Sequence, residues 1–153
     1  MQAKDIMTRE IITVISTTTV EETAKILSDN KISGLPVVND SHEVIGIITE
    51  GDLVFQQKKV TTPAFIALFD GVLQLGKQRF YDEIKKIAAY KVEDLMTKEV
   101  ISVQPDTDIS DIATLMIEKN INRVPVVDKE NKLVGIITRH DIIKHIYNQE
   151  GRS

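Results

Sequence analysis

The heptapeptide GIITEGD at residues 46–52 returns as GIITRHD at residues 135–141. Asp5 and Asp94, Pro36 and Pro125, Gly46 and Gly135, and Asp52 and Asp141 all stand 89 positions apart (94−5, 125−36, 135−46, 141−52). The register never slips: DIMTREIITV answers DLMTKEVISV, ISGLPVVND answers INRVPVVDK, and VIGIIT answers LVGIIT. A fixed offset held over a unit of about fifty residues is a tandem duplication, so the fold has to be built from two like parts.

Each part reads as βαββα. IITV and VISV are short β-rich runs. TTTVEETAKILSDN and DTDISDIATLMIEKN open with Thr or Asp caps and acidic first turns, then place apolar residues at helical spacing, such as Val20, Ala24 and Leu27. LPVVN and EVIGIIT bracket the polar turn NDSHE, and VPVV precedes DKENK, which predicts a hairpin in each copy. A second helix follows at GDLVFQQ and HDIIKHIYNQ. A unit of about fifty residues is marginal alone. The expected fold is therefore α/β (α+β), two βαββα motifs packed sheet to sheet with pseudo-twofold symmetry. Motif 1 is expected over residues 1–57 and motif 2 over residues 93–153, with a helical insertion over residues 58–92.

Composition removes several function classes. The 153 residues are 42% hydrophobic, enough to bury a core unaided. Cysteine is absent, which excludes disulfides, thiolate metal sites and thiol nucleophiles, and permits a reducing cytoplasm. MQAKDIMTRE lacks a signal-peptide pattern, and the longest apolar stretch, AFIALF, is far short of a membrane span. A soluble, cytoplasmic protein with no membrane partner is expected. The net charge of -4, with no Lys/Arg block interleaved with aromatics, disfavours nucleic acid. The sequence holds no nucleophile elbow and no phosphate-binding Gly-rich loop, and Gly46 and Gly135 each stand alone. His140 and His145 are five apart, a spacing that does not put two ligands on one helical face, and His42 falls in a turn. No catalytic residue, no metal site and no obligatory cofactor is expected.

The recurring Thr-x-x-Asp supports two readings. Thr49 with Asp52, and Thr138 with Asp141, can form capping boxes in which the hydroxyl accepts from a free backbone N–H and the carboxylate reaches back to the cap. Alternatively, a helix start with a Thr hydroxyl suits a phosphate while Asp accepts from vicinal ribose hydroxyls. That combination suits a nucleotide.

DIMT, SGLPVV and GIITEGD, with their copies DLMT, NRVPVV and GIITRHD, resemble the signature of paired cystathionine-β-synthase (CBS) domains, regulatory modules that commonly bind adenosine-containing ligands. The resemblance covers nearly everything except residues 58–92. It implies two clefts in which Thr49 with Asp52, and Thr138 with Asp141, hold phosphate and ribose. It further implies that Asn122, Arg123 and Val124 line the cleft of Thr49 and Asp52, that Ser33, Gly34 and Leu35 line that of Thr138 and Asp141, and that Ile12, Ile101, Thr8 and Thr97 lie at the adenine and sugar end. Ordinary core packing is the competing reading for Leu35, Val124, Ile12 and Ile101, and Gly34 can simply permit a tight backbone path. Arg139 and His140 follow the second Thr where Glu50 and Gly51 follow the first, so a polyphosphate is expected to prefer the second cleft.

Residues 58–92 have no counterpart in the repeat. Phe80, Ile84, Ile87 and Ala88 fall at helical spacing, and Phe65, Ile66, Leu68 and Phe69 form an apolar run. A linker helix packed on its own domain accounts for them, and a contact surface for a second subunit or a client protein is the alternative. The expected function is a regulatory sensor that binds AMP, ADP, ATP or S-adenosylmethionine, forms a homodimer and signals to a client. A non-catalytic interaction scaffold with vestigial clefts is the alternative.

Overall fold

The computed structural model describes residues 1–55 and 90–149. The expectations placed on residues 58–89, the apolar run and the linker helix among them, lie outside the described residues. The elements in chain order are α1 (Ala3–Ile6), α2 (Val20–Asn30), β1 (Gly34–Val38), β2 (Val44–Thr49), α3 (Glu50–Phe55), α4 (Val92–Leu95), α5 (Ile109–Glu118), β3 (Arg123–Val127), β4 (Leu133–Thr138) and α6 (Arg139–Gln149). The mixed α/β class and the small sheets agree with the sequence reading. β1 pairs with β2, and β3 pairs with β4.

The helices begin where side chains can satisfy their free N–H groups. Thr19 accepts from the Glu22 N–H (3.1 Å) ahead of α2, and Asp108 accepts from the Ser110 N–H (2.9 Å) ahead of α5. A left-handed residue follows each helix, Lys31 (φ 52°) as the C-cap of α2 and Asn120 (φ 52°) one residue beyond Lys119, the C-cap of α5. The chain then turns back, with Ile32 N–H donating to the Leu27 carbonyl (3.1 Å) and Ile121 N–H to the Met116 carbonyl (3.0 Å). The hairpin turns also match. Asn39 accepts from the Ser41 and Glu43 N–H groups, and Asp128 from those of Glu130 and Lys132.

The runs IITV and VISV, expected as strands, contribute one parallel bridge each, Val14 with Val37 and Val103 with Val126. The bridges rest on Val14 N–H donating to Pro36 and Val103 N–H donating to Pro125. The next rung would need an N–H from Pro36 or Pro125, which proline does not have, so the ladder stops.

The chain forms two compact units. One contains residues 13–37 and 45–98 and is built on a core of Val14, Val20, Leu27, Leu35, Val37, Ile48, Leu53 and Val92. The other contains residues 1–12, 38–44 and 99–153, with a core of Ala3, Val103, Ile109, Ile112, Met116, Val124, Val126, Ile137 and Ile142. A smaller cluster of Val38, Val44, Val127 and Leu133 belongs to the same unit. Each core residue of the first unit except Val92 has its counterpart 89 positions later in the second. Val92 instead corresponds to Ala3, which precedes it by 89, so the opening segments of the two copies are exchanged.

The exchange is also visible in the backbone. Thr8 and Ile136 trade hydrogen bonds (3.0 Å each) in the second unit, and Ile47 and Thr97 do so (3.0 and 2.9 Å) in the first. Sequence reading gave the DIMT and DLMT stretches no element. They form the four-residue helices α1 and α4, in which Asp5 accepts from the Gln2 N–H (2.8 Å) and Asp94 from the Lys91 N–H (3.0 Å).

Candidate functional site

β2 runs into α3 at Thr49–Glu50, and β4 into α6 at Thr138–Arg139, with no residue between strand and helix. Such a junction leaves first-turn N–H groups in need of acceptors. In the first copy Asp52 Oδ2 accepts from the Thr49 N–H (2.9 Å) and hydroxyl (3.2 Å), and Thr49 Oγ1 accepts from the Asp52 N–H (3.2 Å). In the second copy Asp141 and Thr138 repeat these bonds at 2.8, 2.8 and 3.3 Å. The capping box is therefore formed in both copies, with Asp in the place usually taken by Glu.

The box occupies half of each carboxylate. Oδ1 of Asp52 and Oδ1 of Asp141 have no hydrogen bond to another described residue, and both side chains are half-buried. Oδ2 is held by two donors, so the carboxylate plane is fixed and the second oxygen remains as an acceptor for a ligand O–H or N–H. The single proton of each Thr hydroxyl points at its Asp, so the hydroxyl must rotate before it can donate to a phosphate.

Backbone bonds bring the residues before each second strand against the junction of the same unit. Glu50 N–H donates to the Ser33 carbonyl (2.9 Å), and Arg139 N–H to the Asn122 carbonyl (3.0 Å). Arg123 stands directly across the β3–β4 ladder from Thr138, with Val124 opposite Ile137. Thus Ser33, expected to serve Thr138 and Asp141, lies against the Thr49 and Asp52 junction, while Asn122 and Arg123 lie against the junction of Thr138 and Asp141.

The remaining expected residues separate into core and surface. Gly34 is buried, and Leu35 and Val124 are wholly enclosed by their cores. Ile12 is 39% exposed and Ile101 is half-buried. Thr8 and Thr97 are exposed and pair through their backbones with Ile136 and Ile47, each two residues before a junction Thr. His140 is exposed, whereas the guanidinium of Arg139 is engaged: Nε donates to the Ile121 carbonyl (3.1 Å) and Nη2 to that of Met116 (3.2 Å).

Met7 and Met96 support the junctions and were passed over in the sequence. Met96 packs on Gly46, and Met7 on Gly135, in the strands that lead to Thr49 and Thr138. Their signal was the repetition of Met within DIMT and DLMT at the same offset. Among the described residues no cluster of three His, Asp or Glu could hold a metal ion, and no helix is long and apolar enough to cross a membrane.

The CBS domain family matches residues 3–58 and 92–148, which is most of the chain. An uncharacterized protein of Methanocaldococcus jannaschii is 37% identical, and the match covers 94% of this chain and 90% of that one. CBSX1, a chloroplastic CBS domain-containing protein of Arabidopsis thaliana, is 31% identical over 84% of this chain and 56% of its own. Other relatives are far longer: the chain spans 23% of an inosine-5'-monophosphate dehydrogenase of M. jannaschii. Among solved structures, the CBS domain pair of protein MJ0100, in complex with 5'-methylthioadenosine and S-adenosyl-L-methionine, has a TM-score of 0.71 at 30% identity, covering 97% of this chain and 98% of that one. CBSX2 in complex with AMP has a TM-score of 0.73 at 27% identity, with coverage of 97% and 98%. The duplicated strand-to-helix junctions, the fold around them and these matches together make the chain a member of the CBS domain family, with a pair of CBS motifs in tandem.

Proposed function

We propose that the protein is a regulatory sensor that binds an adenosine-containing ligand at its Thr-x-x-Asp junctions. One observation carries this reading. Each Asp is fixed by one oxygen and keeps the other as an acceptor, which is the donor–acceptor balance that a ribose diol requires. A plain cap would be served as well by Glu or Gln, which reach farther and are the commoner partners. The matched structures hold AMP in CBSX2, and 5'-methylthioadenosine with S-adenosyl-L-methionine in protein MJ0100. The shared adenosyl group is the ligand class we assign.

In this reading Asp52 and Asp141 accept from ribose hydroxyls, and Thr49 and Thr138 rotate toward the phosphate or sulfonium end. The Ile12 and Ile101 carbonyls, denied a ladder donor by Pro36 and Pro125, face the base. The residues 1–57 and 93–153 form the two motifs, and the protein acts in a reducing compartment, the cytoplasm, without chemistry of its own. Its partners are a second copy of the chain and a client protein that reads the ligand-bound state. A ligand moves a conformational equilibrium only through differential affinity for its two states.

The test is calorimetric titration with AMP, ATP and S-adenosylmethionine, on the wild type and on Asp52→Asn and Asp141→Asn. Asn keeps an oxygen for the Thr N–H, so the cap largely survives, while the freed position becomes a donor that ribose hydroxyls cannot use as an acceptor. The expected result is a loss of affinity of about tenfold or more at the occupied junction with little change in melting temperature. Affinities unchanged from the wild type in both variants would leave the carboxylates as caps and favour the scaffold.

A further inference from the structure

The two junctions are not equivalent, and one of the differences is the residue that follows the Thr. Arg139 corresponds to Glu50 (139−89=50). In both copies the backbone N–H at this position holds the segment before the second strand, through Asn122 in one and Ser33 in the other. In the second copy the side chain at this position adds to that bond, with Nε donating to the Ile121 carbonyl and Nη2 to the Met116 carbonyl. Met116 lies in the last turn of α5, whose C-cap residue is Lys119. The guanidinium adds, from another element, further positive charge at the negative end of the helix. The same Met116 carbonyl also accepts from the Ile121 N–H, so the end of α5, the left-handed turn at Asn120 and the start of α6 are joined at one point. Glu50 has no N–H in its side chain and would bring negative charge to the corresponding end of α2.

We propose that Arg139 is a positioning residue, which clamps residues 121–123 against the Thr138 and Asp141 junction and pre-orders it through two bonds that the Glu50 side chain cannot donate in the first copy. A guanidinium suits this role because its donors are held in a planar fork and can span two carbonyls, whereas an ammonium is a single point. For ligand binding the proposal rests on the reading of that junction as a nucleotide site. A segment already held in place loses less freedom when a ligand arrives.

Hydrogen exchange on the ligand-free full chain separates the clamp from the nucleotide reading. In Arg139→Gln the amides of residues 119–123 are expected to exchange about tenfold faster than in the wild type, while those of residues 30–34 stay unchanged. Arg139→Lys, which keeps the charge but not the fork, is expected to recover only part of the protection. Unchanged exchange in Arg139→Gln overturns the clamp. Calorimetry then compares AMP with adenosine, which has no phosphate. A positioning residue weakens both by the same factor when replaced by Gln, whereas a loss confined to AMP would make Arg139 a direct phosphate contact and overturn the proposal. If the wild type binds neither compound, the nucleotide reading falls, and the exchange contrast still decides the clamp.

Discussion

The side chain of Met7 fills the space that a β-carbon on Gly135 would need. Such a carbon would overlap the Met7 sulfur and lie 3.0 Å from its Cβ, so the thioether cannot simply swing away. Gly135→Ala is expected to destabilise the protein by about 1–3 kcal/mol, the usual cost of overpacking. The loss should shrink in the Met7→Ala background, because the two substitutions share one space. Denaturant unfolding of the four members of this cycle measures the coupling, and strict additivity would mean that the contact does not govern the choice of Gly.

Lys31 and Asn120 occupy equivalent left-handed positions. An ordinary side chain is strained there by roughly 1–2 kcal/mol, whereas Gly is not, and Asn tolerates the conformation better than Lys. After allowing for the greater freedom of Gly in the unfolded chain, Lys31→Gly is expected to stabilise by about 0.5–1 kcal/mol. Asn120→Gly should stay near neutral. Thermal melts of the two variants, measured side by side, give the comparison.

Among the described residues Thr23 is the one polar residue in the buried core, and it corresponds to Ile112 in the other copy. Its hydroxyl donates to the Thr19 carbonyl (2.9 Å), which also accepts from the Thr23 N–H (3.0 Å). Removing the hydroxyl orphans nothing. Thr23→Val should therefore fall within about 1 kcal/mol of the wild type, on the stabilising side, since a methyl replaces a back-bonded hydroxyl. Thr23→Ala should destabilise by opening a cavity, and equilibrium unfolding in urea distinguishes the two.

The Asp108 carboxyl is held below the ordinary carboxylate range, first by the Ser110 hydroxyl and next by the Ser110 N–H. A carboxyl whose folded pKa is depressed contributes stability above its unfolded pKa, near 3.8, and loses it as the pH falls through the folded value. The carboxyl carbon resonance of Asp108 should accordingly titrate below 3.8 in the folded protein. Ser110→Ala should move that midpoint upward. A midpoint unchanged by the substitution would remove the hydroxyl as the cause.

Much of this architecture could be read from the chain. The cap residues Thr19 and Asp108, the turn residues Asn39 and Asp128 and the 3.6-residue period through Val20 and Leu27 are local signals, and local chemistry acts where they occur. The junction pairs were legible as well, because Thr-x-x-Asp carries its own hydrogen bonds. Four features were not. The helices Ala3–Ile6 and Val92–Leu95 are too short to show a period. The strands expected at IITV and VISV stop at one bridge because Pro36 and Pro125 lie in the partner strand, distant in sequence. The engagement of Arg139 with Met116 and Ile121 depends on where α5 ends in space, which no spacing rule gives. The crossing of the opening segments was hidden for a different reason: the two copies are so alike that Thr8 could pair equally well, on paper, with Ile47 or Ile136.

That exchange bears on how such a chain can be inherited. A gene fragment that encodes one copy would specify a strand edge at Ile136 without the Thr8 that closes it, and a bare Gly135 without the Met7 that covers it. The other copy alone would leave Ile47 and Gly46 in the same position, lacking Thr97 and Met96. A copy on its own would have to fold its opening segment back onto its own strand, a pairing that the intact chain does not use. In the intact chain each half carries the first turn of the other.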